Sequence, residues 1–238
     1  MKKAWFIIIG FLLFFAAFSN AGLLDAVKQG AGIPTQKSSD DSTIASGLKE
    51  ALSIGTKNAV TSVSQTDGYF GNAMIKILMP EKIQYVANAL GKLGYQKQVD
   101  DFILSMNRAA EKAAPQVASI FVDAIKELTL EDANGILSGG DTAATDYFKK
   151  KTSDKIYTAF KPIISSSMNE VGVTRSYKAM MDKYTALPFM KSQSLDLDHY
   201  VTSKAMDGLF YMIGQEEKKI RTNPAARGTD LLKKVFGK

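Results

Sequence analysis

From Ile44 onward, apolar side chains return at steps of three and four residues. Ile44, Leu48, Leu52, Gly55, Ala59 and Val63 fall on one face of a helix that Asp41 or Ser42 is placed to cap. QTDGYFG (65–71) reads as a turn. The stretch 72–79 is short and densely apolar, with Met74, Ile75, Ile77 and Leu78 ahead of Pro80. Extended structure is the expectation there, as half of a short hairpin near residues 69–79. Pro80 can open the next helix, whose stripe is Ile83, Val86, Leu90 and Leu93 and whose end is Gly94.

The same period continues. A helix from Gln96 to Ala114 turns Val99, Phe102, Met106, Ala109, Ala110 and Ala113 inward. Pro115 breaks it or starts the next, which runs to Leu128 through Val117, Ile120, Phe121 and Ala124. Thr129 to Asp132 has the form of a capped start, with Asp where a capping box carries Glu or Gln. That short helix stops at Ser138-Gly139-Gly140. Asp141 is placed to cap the following one. Thr152 or Ser153 caps a longer helix through Ile156, Phe160, Ile164 and Met168 to Gly172, with a kink at Pro162. Arg175 to Tyr184 is helical, and a loop surrounds Pro188. Asp196 or Asp198 opens a long helix through Val201, Ala205, Leu209, Met212 and Ile220, and Asn223-Pro224 opens a last one to Val235. The sum is an all-α, compact multi-helix domain of about nine or ten helices, without a repeat period.

The first 21 residues follow another logic. Lys2 and Lys3 precede an apolar run from Ala4 to Phe18, and Ser19-Asn20-Ala21 supplies small residues before a cut. The run is shorter than the ~20 residues that cross a bilayer comfortably. The expected organisation is a signal peptide over 1–21, a flexible N-terminal segment over 22–42 and a single helical domain over 43–238. Location is then periplasmic or secreted after cleavage near Ala21, with no transmembrane span in the mature chain. An uncleaved N-terminal anchor is the competing reading. The chain has no Cys, which removes thiolate chemistry, zinc–thiolate sites and iron–sulfur clusters. Its net charge of +6 becomes +4 once Lys2 and Lys3 leave with the leader. Lys outnumbers Arg 26 to 4, and the one dense basic stretch, Lys149 to Lys151 with Lys155 and Lys161, reads as a solvated helix end. Nucleic acid is a poor fit as a partner, because its readers favour the forked guanidinium.

Candidate chemistry is sparse. His199 is the only histidine, and no nucleophile elbow, phosphate loop or paired-histidine metal motif occurs. Asp196-Leu197-Asp198-His199 offers three potential ligands but lacks the Gly and Glu of a calcium loop, so helix capping explains it better. Neither a metal nor a cofactor is expected. Asn107, Arg108 and Glu111 share one helix face, as a polar group lining a cleft or as an interhelical ion pair. With Arg this scarce, Arg108, Arg221 and Arg227 are better candidates than any Lys for buried pairs with Asp or Glu. Ser138 to Thr142 (SGGDT) has two glycines before a helix start, where bare amides attract anions, but Asp141 is expected to fill that position. Met180, Met181 and Met190, with Phe189, either fill core gaps or form an adaptable apolar surface.

The stretches GLKEALSIGTKNAV (47–60), NRAAEKAAP (107–115), DANGILSGGDTAATDYF (132–148), DGLFYMIGQEEKKIR (207–221) and NPAARGTDLLKKVFG (223–237) together resemble the bacterial family of exported proteins known as domain of unknown function 4197. The resemblance spans about Ile44 to Gly237. It implies an envelope location and a helical fold, and it brings no activity, substrate or catalytic residue. The polar positions that recur in the family match Asn107, Arg108, Glu111, Asp132, Asp141, Thr145, Tyr147, Asp207, Glu217, Arg221 and Arg227 here, as ligand-binding or family-shared candidates without assigned roles.

The leading expectation is a non-catalytic binding or interaction module for a lipid or other amphiphile, or for an envelope protein. It calls for an apolar groove. The rival is an enzyme with a carboxylate–Arg site around Arg108, Glu111 and Asp132. A third reading is a structural tether held at the membrane surface through Leu23 to Ala31.

Overall fold

The computed structural model describes residues 36–137, 139–190 and 194–237. The chain divides into two units, Met1–Ser38 and Ser39–Lys238, and the second carries the architecture below. The expected signal peptide lies outside the described residues.

Among the described residues all regular structure is helical, so the all-α class holds. In chain order the described residues form eight α-helices: α1 (Gln36–Val63), α2 (Gln84–Lys92), α3 (Gln96–Lys126), α4 (Leu130–Leu137), α5 (Ala143–Val171), α6 (Val173–Thr185), α7 (Leu197–Thr222) and α8 (Asp230–Phe236). Single 3-10 turns occupy Glu81–Ile83 and Pro224–Ala226. None of the described helices is long and apolar enough to cross a membrane.

Among the described residues the count falls short of nine or ten because α3 runs on through Pro115 and α5 runs on through Thr152 and Ser153, where separate helices were expected. Pro115 lies inside α3 and Pro162 inside α5. Proline in a helix interior costs about 3 kcal/mol through its missing N–H and its ring. Both rings are exposed, and the residues beyond them stay in register with the buried face. Val117, Phe121 and Ala124 continue the stripe of Met106, Ala110 and Ala113, and all are buried. Burying a large apolar side chain contributes about 1.5–3 kcal/mol, so the run beyond each proline outweighs the interruption. Continuity of α5 also corrects the reading of Lys149 to Lys155 as a helix end. The run is mid-helix, and Lys149, Lys151 and Lys155 reach Asp207, Asp132 and Glu127.

The start of α1 is at Gln36, ahead of Asp41 and Ser42, since no Gly or Pro follows Pro34 until Gly47. The end of α2 is as the sequence places it, although Leu93, expected inward, is exposed. Asp196 caps α7 by accepting the His199 N–H at 2.9 Å. Asn223 caps the turn after it through the Ala225 N–H at 3.0 Å. The helix expected to follow is broken at Gly228 and restarts as α8, where Thr229 Oγ1 accepts the Leu232 N–H at 3.2 Å.

α3 is the centre of the fold. It packs along α5, α6, α2 and α7, and α5 packs along α7. Phe121 of α3, Phe148 of α5 and Phe210 of α7 form a triangle of rings with centroids 5.3–6.0 Å apart. Such edge-on contacts add to the area that each ring removes from water. Met180 and Met181 of α6 are core fillers, while Phe189 and Met190 beyond it stand exposed. Removing the fully buried Phe121 ring (Phe121→Ala) should lower unfolding free energy by about 3–5 kcal/mol in urea titrations, with helical circular dichroism retained below the transition.

Candidate binding cleft and the buried clasps behind it

The hairpin expected near residues 69–79 is absent. Among the described residues no strand occurs, and 64–80 is a turn-rich connection that dips into the core. Its partners are side chains rather than a second strand. Asn107 of α3, fully buried, accepts the Ile77 N–H through Oδ1 and donates from Nδ2 to the Ile77 carbonyl, both at 2.8 Å. One amide side chain thus supplies the donor and the acceptor that a neighbouring strand would have offered. One helical turn later, Glu111 Oε1 accepts two consecutive backbone N–H groups, from Tyr69 and Phe70, each at 3.1 Å. Its other oxygen takes Arg108 Nη1 at 2.5 Å, and Arg108 Nη2 reaches Asp67 at 2.7 Å. Tyr69 is buried and its hydroxyl donates to the Ala205 carbonyl of α7 at 2.7 Å. Burial, with the Glu111 charge beside it, pushes that phenol far above its ordinary range, so it remains a donor.

Between Ile75 and Met79 the chain has the two-residue alternation of extended backbone. Ile75, Ile77 and Met79 are buried, whereas Met74 and Leu78 are 67% and 60% exposed. The outward side chains form one wall of a cleft of about 880 Å³, and the other wall is α7 at Tyr200, Lys204, Gly208 and Tyr211. The size lies within the ~300–1,000 Å³ typical of small-molecule sites. Gly208 lets the walls meet. A Cβ there would lie 2.7 Å from Tyr69 Cε1 and 3.2 Å from Ile75 Cβ, so a larger residue would push the connection off α7. Tyr200 adds a tie from the cleft side, its hydroxyl donating to the Leu78 carbonyl at 3.0 Å.

A second clasp holds the start of α5. Asp141 is not its cap, as the sequence suggested, but pairs loosely with Lys218 at 3.4 Å. The buried Glu217 of α7 takes the position instead, accepting the Ala144 N–H at 3.0 Å and the Thr145 N–H and Oγ1–H at 2.7 Å. A carboxylate on these buried amides, which have no partner within the helix, also meets the positive end of the helix dipole. Arg221 Nε donates to Glu217 at 2.7 Å. Arg227, expected to pair with an acid, donates to the Ile220 and Arg221 carbonyls at 3.0 and 2.8 Å, closing the end of α7. The third group surrounds Asp132, which accepts the Thr129 N–H and Lys151 Nζ at 2.7 Å and the Tyr147 hydroxyl. Thr129 Oγ1 reciprocates on the Asp132 N–H at 3.4 Å, so Asp does complete the capping box.

The eleven candidate positions therefore fall into separate networks. Arg108 joins Glu111, with Asn107 one turn before it. Asp132 joins Tyr147. Thr145, Arg221 and Arg227 gather around Glu217 and the end of α7. Asp141 lies apart with Lys218, and Asp207 lies on the cleft wall, 2.8 Å from Lys149. Asp196, Asp198 and His199 spread over three partners, Asp198 accepting from Ser165 Oγ at 3.0 Å and His199 Nδ1 lying 2.7 Å from the Tyr157 hydroxyl. Among the described residues no group of three or more His, Asp or Glu is arranged to hold a metal ion. Sequence reasoning did not single out Met74, Leu78, Lys82, Lys204 or Tyr211 as cleft residues. The two-residue alternation of Ile75, Ile77 and Met79 was the available signal for Met74 and Leu78.

Two outcomes follow from these networks. Asn107→Ala leaves the Ile77 peptide without partners in the core, so stability should fall by about 2–3 kcal/mol and the Ile77 amide should lose hydrogen-exchange protection more than amides of α5 do. For Asp132, burial opposes ionisation, but the bonds from Lys151, Tyr147 and Thr129 outweigh it and hold the carboxyl well below the ordinary range. A depressed folded value means a stabilising contribution that is complete above the unfolded value near ~4 and shrinks as pH falls through the folded one. The stability gap between wild type and Asp132→Asn, measured in urea, should be constant from pH 7 to about pH 5 and narrow below about pH 4.

The family model described as "Protein of unknown function (DUF4197)" matches residues 38–237, nearly the whole chain. No curated protein and no solved structure matches it. By that match, which spans the helices, both clasps and the cleft, the chain belongs to the DUF4197 family.

Proposed function

We propose that this chain is an exported, non-catalytic binding module of the cell envelope that holds an amphiphile in the cleft between the 74–84 segment and α7. The leader-like first 21 residues support the compartment. The cleft supports the activity, and one observation carries it: Met74, Leu78 and Tyr211 stand exposed together in a concave site of ligand size. Apolar side chains held open to water in a concavity gain free energy when an apolar ligand covers them.

The carboxylate–Arg enzyme is the weaker reading. Glu111 is occupied by two backbone amides and Arg108, and Asp132 by Thr129, Tyr147 and Lys151. A general base needs an oxygen free to take a substrate proton. These oxygens already accept structural bonds whose loss would cost stability.

The fluorescence of phenylnaphthylamine, which rises on entering an apolar site, tests the proposal. Wild-type protein should enhance it saturably. Leu78→Asp places a charge in the cleft at an exposed position, so it should weaken the probe at least about tenfold while changing stability by no more than ~0.5 kcal/mol. Equal enhancement by both proteins, or none by either, would refute the cleft as the binding site.

A further inference from the structure

We infer that the ligand of this cleft carries an anionic headgroup, held by Lys82 and Lys204; the inference rests on the cleft's being the binding site. Three lysines and three acids line the cleft, so the formal charges cancel. The acids, however, are largely committed. Asp207 is paired with Lys149, which comes from α5 and is not part of the lining. Asp196 accepts the His199 N–H as the cap of α7, where the helix dipole offsets its charge. Only Glu81 remains, in the first turn of its 3-10 segment. Burial, with the Glu81 charge beside it, raises the Tyr200 phenol above its ordinary range, so it stays a neutral donor.

The cations are freer. Lys76 sits over the Phe70 ring with Nζ 3.9 Å from its centroid. Lys82 and Lys204 have no ion-pair partner among the described residues and line opposite walls. With Asp207 paired to Lys149 and Asp196 partly offset by its helix dipole, the ammonium groups of Lys82 and Lys204 outnumber the one unpaired carboxylate, around an apolar surface of Met74, Leu78 and Tyr211. A cationic ligand would meet two like charges. A neutral ligand would leave both ammonium groups without a counter-charge. An anion on a single alkyl chain satisfies both parts of the site. Lysine suits such a headgroup as a point charge on a flexible stem that can itself lie along apolar surface.

Displacement of phenylnaphthylamine from the purified protein tests this, using four dodecyl amphiphiles below their micelle concentrations. Dodecyl phosphate and dodecanoate share the anionic class with different headgroups, dodecyl maltoside is neutral and dodecyltrimethylammonium is cationic. Both anions should displace the probe at concentrations about tenfold lower than the maltoside, and the cation should be weakest. Added salt should erode the anionic advantage alone. Lys82→Gln with Lys204→Gln should abolish that advantage, read as the ratio of the maltoside to the anion concentration that half-displaces the probe. Both are exposed surface changes, and a retained thermal transition verifies folding. Anionic and neutral chains displacing equally, or an anionic preference untouched by the double variant, would overturn the inference while the binding site stands. Displacement by none of the four would overturn both. Success of one anion alone, phosphate or carboxylate, supports the inference and names the headgroup.

Discussion

Backbone that leaves the helix inside a helical protein brings peptide groups that no neighbouring turn can satisfy. Residues 65–80 do this, and the fold answers from one side of α3. Asn107 takes both polar groups of Ile77, and Glu111 takes the N–H groups of Tyr69 and Phe70. A buried peptide group without a partner costs about 1–3 kcal/mol, so four such groups left open would use up much of a typical domain's stability. Two polar residues in a mostly apolar stripe of α3 remove that cost. They also fix the connection in one register, since neither an amide pair nor a carboxylate on successive N–H groups tolerates a one-residue slip.

Glu217 repeats the device at the start of α5, and in both places an arginine on the same helix stabilises the buried charge. Arg108 precedes Glu111 by three residues and Arg221 follows Glu217 by four, the spacings that bring side chains together on one face. In a chain with 26 lysines, arginine at these points has a geometric reason. Arg108 bridges Glu111 and Asp67 through two nitrogens of one planar fork, and Arg221 spans Glu217 and the Ile136 carbonyl. An ammonium group cannot direct donors along those fixed directions. Removing either carboxylate would leave two amides unpaired and take one partner from its arginine, which is why a buried pair is costly to break even where forming it gained little.

The helices were legible because their signal is periodic: the inward positions of α1, α3, α5 and α7 are the ones that recur every third or fourth residue. Pro115, and Thr152 or Ser153 as a cap, misled because a local rule about one residue was set against burial over the next dozen, which sequence spacing does not weigh. The 64–80 connection was misread for a related cause. Its alternation is real, yet strand-like alternation does not say whether the partner is a strand or, as here, the Asn107 amide. The paired face of Arg108 and Glu111 was readable from spacing. That their shared partner is the backbone of Tyr69 and Phe70, some forty residues earlier, was not, because a carboxylate at 111 reads identically whether it meets a ligand, a metal or an amide. Glu217 displaced Asp141 from the expected cap for the same reason: capping by a remote side chain leaves no local pattern.

The clasps and the cleft are two sides of one segment. Asn107 draws Ile77 inward and Tyr69 is seated against Gly208, so the alternating side chains Met74 and Leu78 have only the outward direction left. Their exposure is therefore enforced by hydrogen bonds in the core. Loose connections hide apolar side chains by collapsing onto the nearest surface. This one is held at Ile77 from within and at the Leu78 carbonyl by Tyr200, and it cannot fold over its own cleft. The cost of ordering that wall is met when the protein folds, and a ligand that enters does not meet it again. Asn107 and Glu111 thereby keep an apolar wall open from within the core, without lining the cleft themselves.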